Sequence, residues 1–123
     1  MRNNESKKYD KHIISALKNL PVPLNTFDRH NVLFDIDKRK ESIYEHIANK
    51  KHHLHVKDIL DIPKILLNKE SLKNDKYGKK FRTYIWKRSK TRERLKFLKI
   101  TTKLNKNKTE SIITIHLSKF KDW

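Results

Sequence analysis

The chain has 123 residues, a length that suits a single domain with one modest core, and its 35% hydrophobic content is too high for wholesale disorder. Its 31 Lys and Arg against 14 Asp and Glu give a formal net charge of +17, which favours a polyanionic partner such as RNA or DNA. The absence of cysteine excludes disulfides, thiolate nucleophiles and zinc ribbons.

The first twenty residues predict a helix and no targeting segment. Charged residues fall in every turn, so no apolar run is long enough for a signal peptide or a membrane span, and we expect a soluble, cytoplasmic protein without membrane contact. Ile13, Ile14, Leu17 and Leu20 recur at helical spacing, and Pro21 follows directly. This pattern predicts an amphipathic helix that ends before the proline.

The middle of the chain predicts a short extended piece and then more helix. Residues 31–38 alternate apolar and polar side chains, as in a short strand or extended connection. Residues 40–50 carry one apolar helical face, which predicts a second helix. Pro63 interrupts the apolar pattern of residues 55–68, which predicts two short helices or turns. We expect these pieces to pack against a sheet.

The last third of the chain predicts strands. Residues 76–80 hold the only glycine and read as a loop into the strand region. Apolar and β-branched residues then alternate or cluster in residues 80–88, 92–104 and 110–120, with a polar hairpin connection at 105–110. The predicted fold is α+β, with N-terminal helices packed on a small antiparallel sheet of three to four strands.

Strand alternation predicts a polar, basic sheet face. It groups the following side chains of the first strand: Arg82, Tyr84, Trp86 and Arg88. We expect Thr114 and His116 of the last strand to share this face, while helices cover the apolar side that includes Ile113 and Ile115. The alternative is that Tyr84 and Trp86 bury themselves in a second small core.

The same segment carries most of the chain's positive charge. Residues 72–109 contain 15 Lys or Arg and only two acidic residues. Guanidinium groups bind phosphates and aromatic rings stack on bases, so we predict nucleic-acid binding here, through Lys80, Trp86, Lys87, Lys96 and His116. The alternative for the charge is an ordinary solvated surface.

Four histidines lie within ten residues, at positions 46, 52, 53 and 55. Three of them are nearly consecutive and point in different directions, which is unfavourable for a zinc site. RNA cleavage needs no metal, because the ribose 2′-OH attacks the adjacent phosphate once a base removes its proton, and imidazole suits both acid and base roles. The chain has no GxxxxGK[ST], GxGxxG or HExxH motif, so no metal or cofactor is predicted.

The segments YEHIANKKHHLHVKDILDIPKILLN, FRTYIWKR and ESIITIHLSKF resemble those of phage-associated members of the barnase, EndoU, colicin and RelE-like nuclease superfamily. The resemblance covers residues 40–120. It implies one or two helices before a four-stranded antiparallel sheet, and RNA cleavage without metal by a toxin or a phage-encoded nuclease. The corresponding division of the chain is an N-terminal helix and extended connection over 1–39 and a nuclease domain over 40–123, within one compact unit.

The resemblance also implies roles for individual residues. His46 and His53 become acid and base candidates, Arg82 or Arg88 phosphate ligands and Thr114 a hydroxyl donor, with Tyr84 beside them as a further catalytic candidate. The resulting hypothesis is a metal-independent endoribonuclease that acts by 2′-OH transesterification. An active enzyme of this kind would need restraint, so an acidic immunity or antitoxin protein is a candidate partner. The alternatives are a non-catalytic RNA- or DNA-binding protein using the same face, and a structural protein that neutralises nucleic acid.

Overall fold

The computed structural model describes residues 8–21, 23–34, 43–74, 80–88 and 96–119, so most of the predicted glycine loop lies outside the described residues. The helices are α1 (Lys11–Lys18), α2 (Ile43–Ala48), α3 (Val56–Leu60) and α4 (Ile62–Leu67), and single 3₁₀ turns span Lys50–His52 and Lys69–Ser71. The strands are β1 (Leu24–Asn25), β2 (Asn31–Phe34), β3 (Leu72–Asn74), β4 (Phe81–Lys87), β5 (Phe97–Asn105) and β6 (Thr109–Ser118).

The six strands form one mixed sheet in the order β1-β2-β6-β5-β4-β3, curled into a half-barrel. Strands β3 to β6 pair antiparallel, whereas β2 pairs parallel to β6, with Asn31 opposite Thr109. The predicted fold, helices packed on a three- to four-stranded antiparallel sheet, is therefore wrong. The difference arises because residues 24–34 form a β1–β2 hairpin that extends the sheet beyond β6, and β3 extends it at the other edge beyond β4.

Local capping explains where the helices begin. The Asp10 carboxylate accepts hydrogen bonds from the backbone N–H groups of His12 (2.9 Å) and Ile13 (3.4 Å) at the start of α1. The Asp58 carboxylate accepts from the His55 N–H (2.8 Å) at the start of α3, and Pro63 lies in the first turn of α4. Among the described residues, no helix combines the length and apolar character needed to cross a membrane.

The hydrophobic core lies between the helices and one side of the sheet, which we call the helix side. Its fully buried members include Ile47, Ile59, Ile62, Ile65, Leu66, Ile100 and Ile115. Ile13 and Leu17 of α1 belong to the same core. Each fully buried aliphatic side chain stabilises the fold by about 1.5–3 kcal/mol, so the N-terminal segment and the rest of the chain stabilise each other.

A β-bulge in β6 changes which residues face the helices. Thr101 lies opposite Thr114 and Thr102 lies opposite Ile112, which leaves Ile113 as an extra residue without a partner in β5. As a result Ile112 and Ile115 are both buried, whereas Ile113 is 37% exposed. The prediction that Ile113 shares the buried face with Ile115 is wrong, because strict alternation does not hold across the bulge.

Candidate functional site

A buried carboxylate, Glu110, is the centre of a polar cluster at the start of β6. Its side chain has no solvent exposure. Glu110 Oε1 accepts hydrogen bonds from the hydroxyls of Tyr84 (2.8 Å) and Thr102 (2.7 Å). Its Oε2 accepts from Arg82 Nη1 (2.8 Å) and lies 2.7 Å from His30 Nδ1. With Asp28, which also contacts Arg82, these residues form what we call the Glu110 cluster.

The strands and one turn position this cluster. Arg82 of β4 lies directly opposite Thr102 of β5, and the bulge brings Glu110 to the same side of the sheet. The β1–β2 turn supplies Asp28 and His30. In that turn the Thr26 hydroxyl donates to Asp28 Oδ1 at 2.5 Å, and the His30 N–H donates to the Thr26 hydroxyl at 2.9 Å. Side chains distant in sequence therefore meet at one point.

Arg82 holds two carboxylates together. Its Nη2 donates to Asp28 Oδ2 at 2.8 Å, while its Nη1 binds both Glu110 at 2.8 Å and Asp28 Oδ1 at 3.2 Å. The hydrogen bonds from Arg82, assisted by Thr26, lower the pKa of Asp28 from 3.8 to about 2, although its partial burial acts in the opposite direction. Asp28 is therefore charged throughout the physiological pH range.

The other two ionisable partners are also shifted. Burial alone would lower the pKa of Arg82, but its hydrogen bonds to Asp28 and Tyr84 and the charge of Glu110 raise that pKa above its ordinary value. Burial raises the pKa of the Tyr84 hydroxyl, and the negative charge of Glu110 raises it further. Tyr84 is therefore a neutral hydrogen-bond donor to Glu110, and Arg82 a permanent cation.

The low pKa of Asp28 predicts a loss of stability in acid. Between about pH 2 and 3.8 the unfolded chain binds the Asp28 proton and the folded chain does not, so this contribution is present above pH 3.8 and is lost as the pH falls to about 2. We expect the free energy of unfolding to fall less over this range in Asp28→Asn than in the wild type. Urea denaturation at pH 2, 3, 4 and 6 measures the difference, and parallel curves for both proteins would contradict the assignment.

The same cluster contains three possible metal ligands, from Asp28, His30 and Glu110, whose ligand atoms lie within 4.8 Å of one another. However, the guanidinium of Arg82 binds the carboxylate oxygens that a cation would need. A metal ion would have to displace Arg82 and would add positive charge beside it. The donor set thus fits an ion-pair network better than a metal centre.

The predicted catalytic histidines lie in the helical region. His46 is on α2, and its ring meets the ring of His52 edge to face, with centroids 5.6 Å apart. His53 is exposed and has a left-handed backbone with φ of 55°, just after the 3₁₀ turn at Lys50–His52. The ring that the structure places against His46 is therefore that of His52, and His53 lies at the surface.

The predicted open face of β4 is inverted. Tyr84 is fully buried in the core on the helix side, and Trp86 packs against that core with Lys64 Nζ 5.6 Å from its ring centroid. Arg88 donates to Asp58 Oδ1 at 2.8 Å, which ties the end of β4 to α3. Thr114 and His116 lie on the opposite side of the sheet from Arg82 and Tyr84, because they pair with odd-numbered positions of β5.

The side of the sheet away from the helices, which we call the outer face, carries a different set of residues. Eleven of them are Phe81, Thr83, Ile85 and Lys87 of β4, Phe97, Lys99, Thr101 and Lys103 of β5, and Thr114, His116 and Ser118 of β6, and Ser111 of β6, opposite Lys103, lies on the same side. Lys87 and Lys103 are exposed, Phe81 and Phe97 are partly exposed, and Ile85 and Lys99 are buried. None of these eleven residues is acidic. Lys80 and Lys96, also predicted to bind nucleic acid, are exposed just before β4 and β5.

Sequence reasoning missed most of the Glu110 cluster, namely Asp28, His30, Thr102 and Glu110. Glu110 falls at the boundary of the predicted hairpin connection and the predicted last strand. A single acidic residue next to the apolar run of residues 112–115 is a usable signal for a buried carboxylate. A carboxylate at this position is buried when the strand packs into the sheet, and a buried carboxylate requires hydrogen-bond or ion-pair partners. Asp28 and His30 carry no comparable signal, because a polar turn is ordinarily exposed.

The function of this chain has to be inferred from its own residues. No protein-family model, curated protein or solved structure matches this chain. The resemblance to the nuclease superfamily accordingly stays a prediction. The Glu110 cluster and the outer face are the two sites from which a function can be inferred.

Proposed function

We propose that this chain binds single-stranded RNA on the outer face of its sheet. The observation that carries the proposal is the pairing of partly exposed aromatic rings with exposed lysines on a face that has no acidic residue among its members on β4, β5 and β6. Aromatic rings stack on bases of any sequence, and lysines bind the phosphate backbone. The chain's net charge of +17 supplies long-range attraction for the same partner.

The strand register places these groups at two ends of the face. Phe81 of β4 lies opposite Lys103 of β5, and Lys87 lies opposite Phe97. Side chains directly opposite each other in an antiparallel pair have Cβ atoms about 5 Å apart, so each ring has a lysine beside it. The two ends are about 20 Å apart along β4. An extended strand of RNA that crosses the face would thus meet a stacking and phosphate contact at each end.

Polar side chains lie between the two ends. Thr101 and Thr114 are directly opposite each other, and His116 lies opposite Lys99. Hydroxyl and imidazole groups can hydrogen-bond base edges and the ribose 2′-OH, which distinguishes RNA from DNA. The predicted contacts of His116 and Lys87 with nucleic acid are therefore kept in this proposal, whereas Trp86 is replaced by Phe81 and Phe97.

Fluorescence anisotropy with a labelled 12-mer tests the proposal. We expect single-stranded RNA to bind more tightly than a duplex of the same sequence, because only unpaired bases can stack on the rings. Lys87→Ala combined with Lys103→Ala should reduce the slope of log K against log salt by about 1.4, since each phosphate contact on a single strand contributes about 0.7.

The matched control is Lys51→Ala combined with Lys57→Ala, which removes the same charge from exposed positions in the helical region. The two double variants have the same net charge, so they differ only in where the two positive charges are removed. Equal slopes in the two double variants, or tighter binding to the duplex, would contradict binding on the outer face.

A second candidate function is RNA cleavage without metal. It is favoured by the contact between His30 Nδ1 and Glu110 Oε2 at 2.7 Å, beside the guanidinium of Arg82. A carboxylate that orients an imidazole supports acid–base chemistry, and a guanidinium stabilises the charge of a phosphorane. The His30 side chain is 21% exposed, so a substrate can approach its ring. In this candidate function the acid–base chemistry is proposed for His30, rather than for His46 and His53.

Incubation of labelled RNA in EDTA tests this candidate. A transesterase yields cyclic-phosphate ends, and His30→Ala should abolish them, whereas His12→Ala, at an exposed position on α1, should not. Loss of activity in His46→Ala or His53→Ala, with His30→Ala active, would move the chemistry to the helical histidines. RNA that stays intact with the wild-type protein would leave binding as the function.

A further inference from the structure

Asp28 is the most accessible anion in the Glu110 cluster. Its side chain is 31% exposed, whereas that of Glu110 is completely buried. Both Asp28 oxygens contact the guanidinium of Arg82, at 2.8 Å and 3.2 Å, and Oδ2 lies 3.7 Å from His30 Nε2. A carboxylate that can be reached from solvent therefore lies between an arginine and a histidine.

The two carboxylates are held very differently. Glu110 contacts four side chains on two strands, β4 and β5, and on the β1–β2 turn, so it is a fixed part of the sheet. Asp28 lies in a turn whose next residue, Arg29, has a left-handed φ of 66°, a conformation that is unfavourable for a residue other than glycine. Because Glu110 already neutralises Arg82, Asp28 is a second anion on the same cation and the one that can leave.

We propose that the Asp28 carboxylate occupies an anion subsite formed by Arg82 and His30, and that a phosphodiester of RNA takes its place when the Asp28 side chain rotates outward. Two phosphate oxygens reproduce the spacing of the two carboxylate oxygens on the guanidinium fork. The His30 ring donates to the same group when it is protonated on Nε2. This inference rests on RNA as the ligand proposed above and adds a second point of contact, on the opposite side of the sheet from the outer face.

The turn carboxylate competes with the ligand. Asp28 stays charged at neutral pH and is tethered within a few residues of the sheet, so its effective concentration at Arg82 is high. The wild-type subsite should consequently bind free phosphate weakly. Asp28→Asn removes the charge and leaves one oxygen acceptor, so inorganic phosphate should bind this variant about 10-fold more tightly than the wild type.

NMR of the arginine side chains measures this directly. Inorganic phosphate is titrated at constant ionic strength, against chloride, into the wild type, Asp28→Asn and the control Asp61→Asn, which removes the same charge at the junction of α3 and α4. We expect the Arg82 Nε–H signal to shift with a lower dissociation constant in Asp28→Asn alone. Equal dissociation constants in all three proteins, or an equal gain in Asp61→Asn, would overturn the proposal.

Two further arms separate this inference from RNA binding on the outer face. In the double variant Asp28→Asn/His30→Gln the gain in phosphate affinity should be lost, while the fold retains the Arg82–Glu110 pair. A uridine 12-mer should shift the Arg82 signal in Asp28→Asn as phosphate does. If the 12-mer binds and leaves that signal unmoved, the subsite is refuted and binding on the outer face stands. If phosphate shifts the signal and the 12-mer does not bind, the subsite is for a small anion and its assignment to RNA is refuted.

Discussion

Replacement of Glu110 by alanine is expected to lower the free energy of unfolding by about 3–5 kcal/mol, the range for removing one partner of a buried ion pair. The substitution leaves the guanidinium of Arg82 beside one exposed carboxylate only, and it leaves the buried hydroxyls of Tyr84 and Thr102 without their acceptor. Each buried polar group that loses its partner costs about 1–3 kcal/mol. Urea denaturation at pH 7 measures the change.

Two comparisons make the Glu110 result specific. Glu70→Ala removes an exposed carboxylate and should change the free energy of unfolding by less than about 0.5 kcal/mol. Tyr84→Phe removes the hydrogen bond to Glu110 and the longer one accepted from Arg82 at 3.4 Å, and should cost about 1.5–3 kcal/mol, less than the loss of the whole carboxylate. A Glu110→Ala protein as stable as Glu70→Ala would show that the cluster contributes no net stability.

Replacement of Phe97 by alanine is expected to weaken the binding of single-stranded RNA by about 1–3 kcal/mol, the contribution of one base stacked on an aromatic ring. Phe97 is the first residue of β5 and lies opposite Lys87 on the outer face. Its ring and the lysine therefore act on adjoining parts of one nucleotide. Because stacking does not depend on charge, the salt dependence should stay unchanged while the affinity falls. Anisotropy with the labelled 12-mer at two salt concentrations separates the two quantities.

A control for Phe97→Ala is Leu67→Ala, which removes an apolar side chain that is 58% exposed on α4. It should leave the affinity for RNA unchanged. Thermal melting of each variant shows whether the fold is retained, since Phe97 is partly buried. An equal loss of affinity in both variants, or an undiminished affinity in Phe97→Ala, would contradict stacking on the outer face.

The local patterns located the secondary structure well and the sides of the sheet poorly. The helices at 11–18, 43–48, 56–60 and 62–67 and the strand β4 lie within the segments predicted for them, and β5 and β6 extend one residue beyond theirs. These elements follow from short-range spacing, capping and proline, which the sequence displays directly. The order of the strands depends on contacts between distant residues, so the parallel pairing of β2 with β6 had no local signal.

The orientation of β4 shows why polarity misled the prediction. Arg82, Trp86 and Arg88 are polar or amphipathic, and a pattern read strand by strand assigns them to solvent. In the fold, Glu110 of β6 and Asp28 of the β1–β2 turn contact Arg82 on the helix side of the sheet, and Asp58 of α3 contacts Arg88. A charged side chain can be buried once a partner is available, and the partners here are 28 to 54 residues away in sequence. The catalytic set inferred from the family resemblance was therefore not brought onto one face.

The bulge at Ile113 has a consequence for the distribution of charge through the molecule. If Ile113 were paired in regular alternation and the bulge were absent, Ser111 would lie on the helix side and Glu110 would turn to the outer face, which carries Lys99 and Lys103 of β5. Deletion of Ile113 itself would remove the bulge and keep Glu110 beside Arg82, because Ile112 and Thr114 would then alternate regularly opposite Thr102 and Thr101. The bulge thus keeps the Glu110 carboxylate beside Arg82 on the helix side, so that an insertion between Glu110 and Ile113 should be far less tolerated than a substitution or deletion of Ile113.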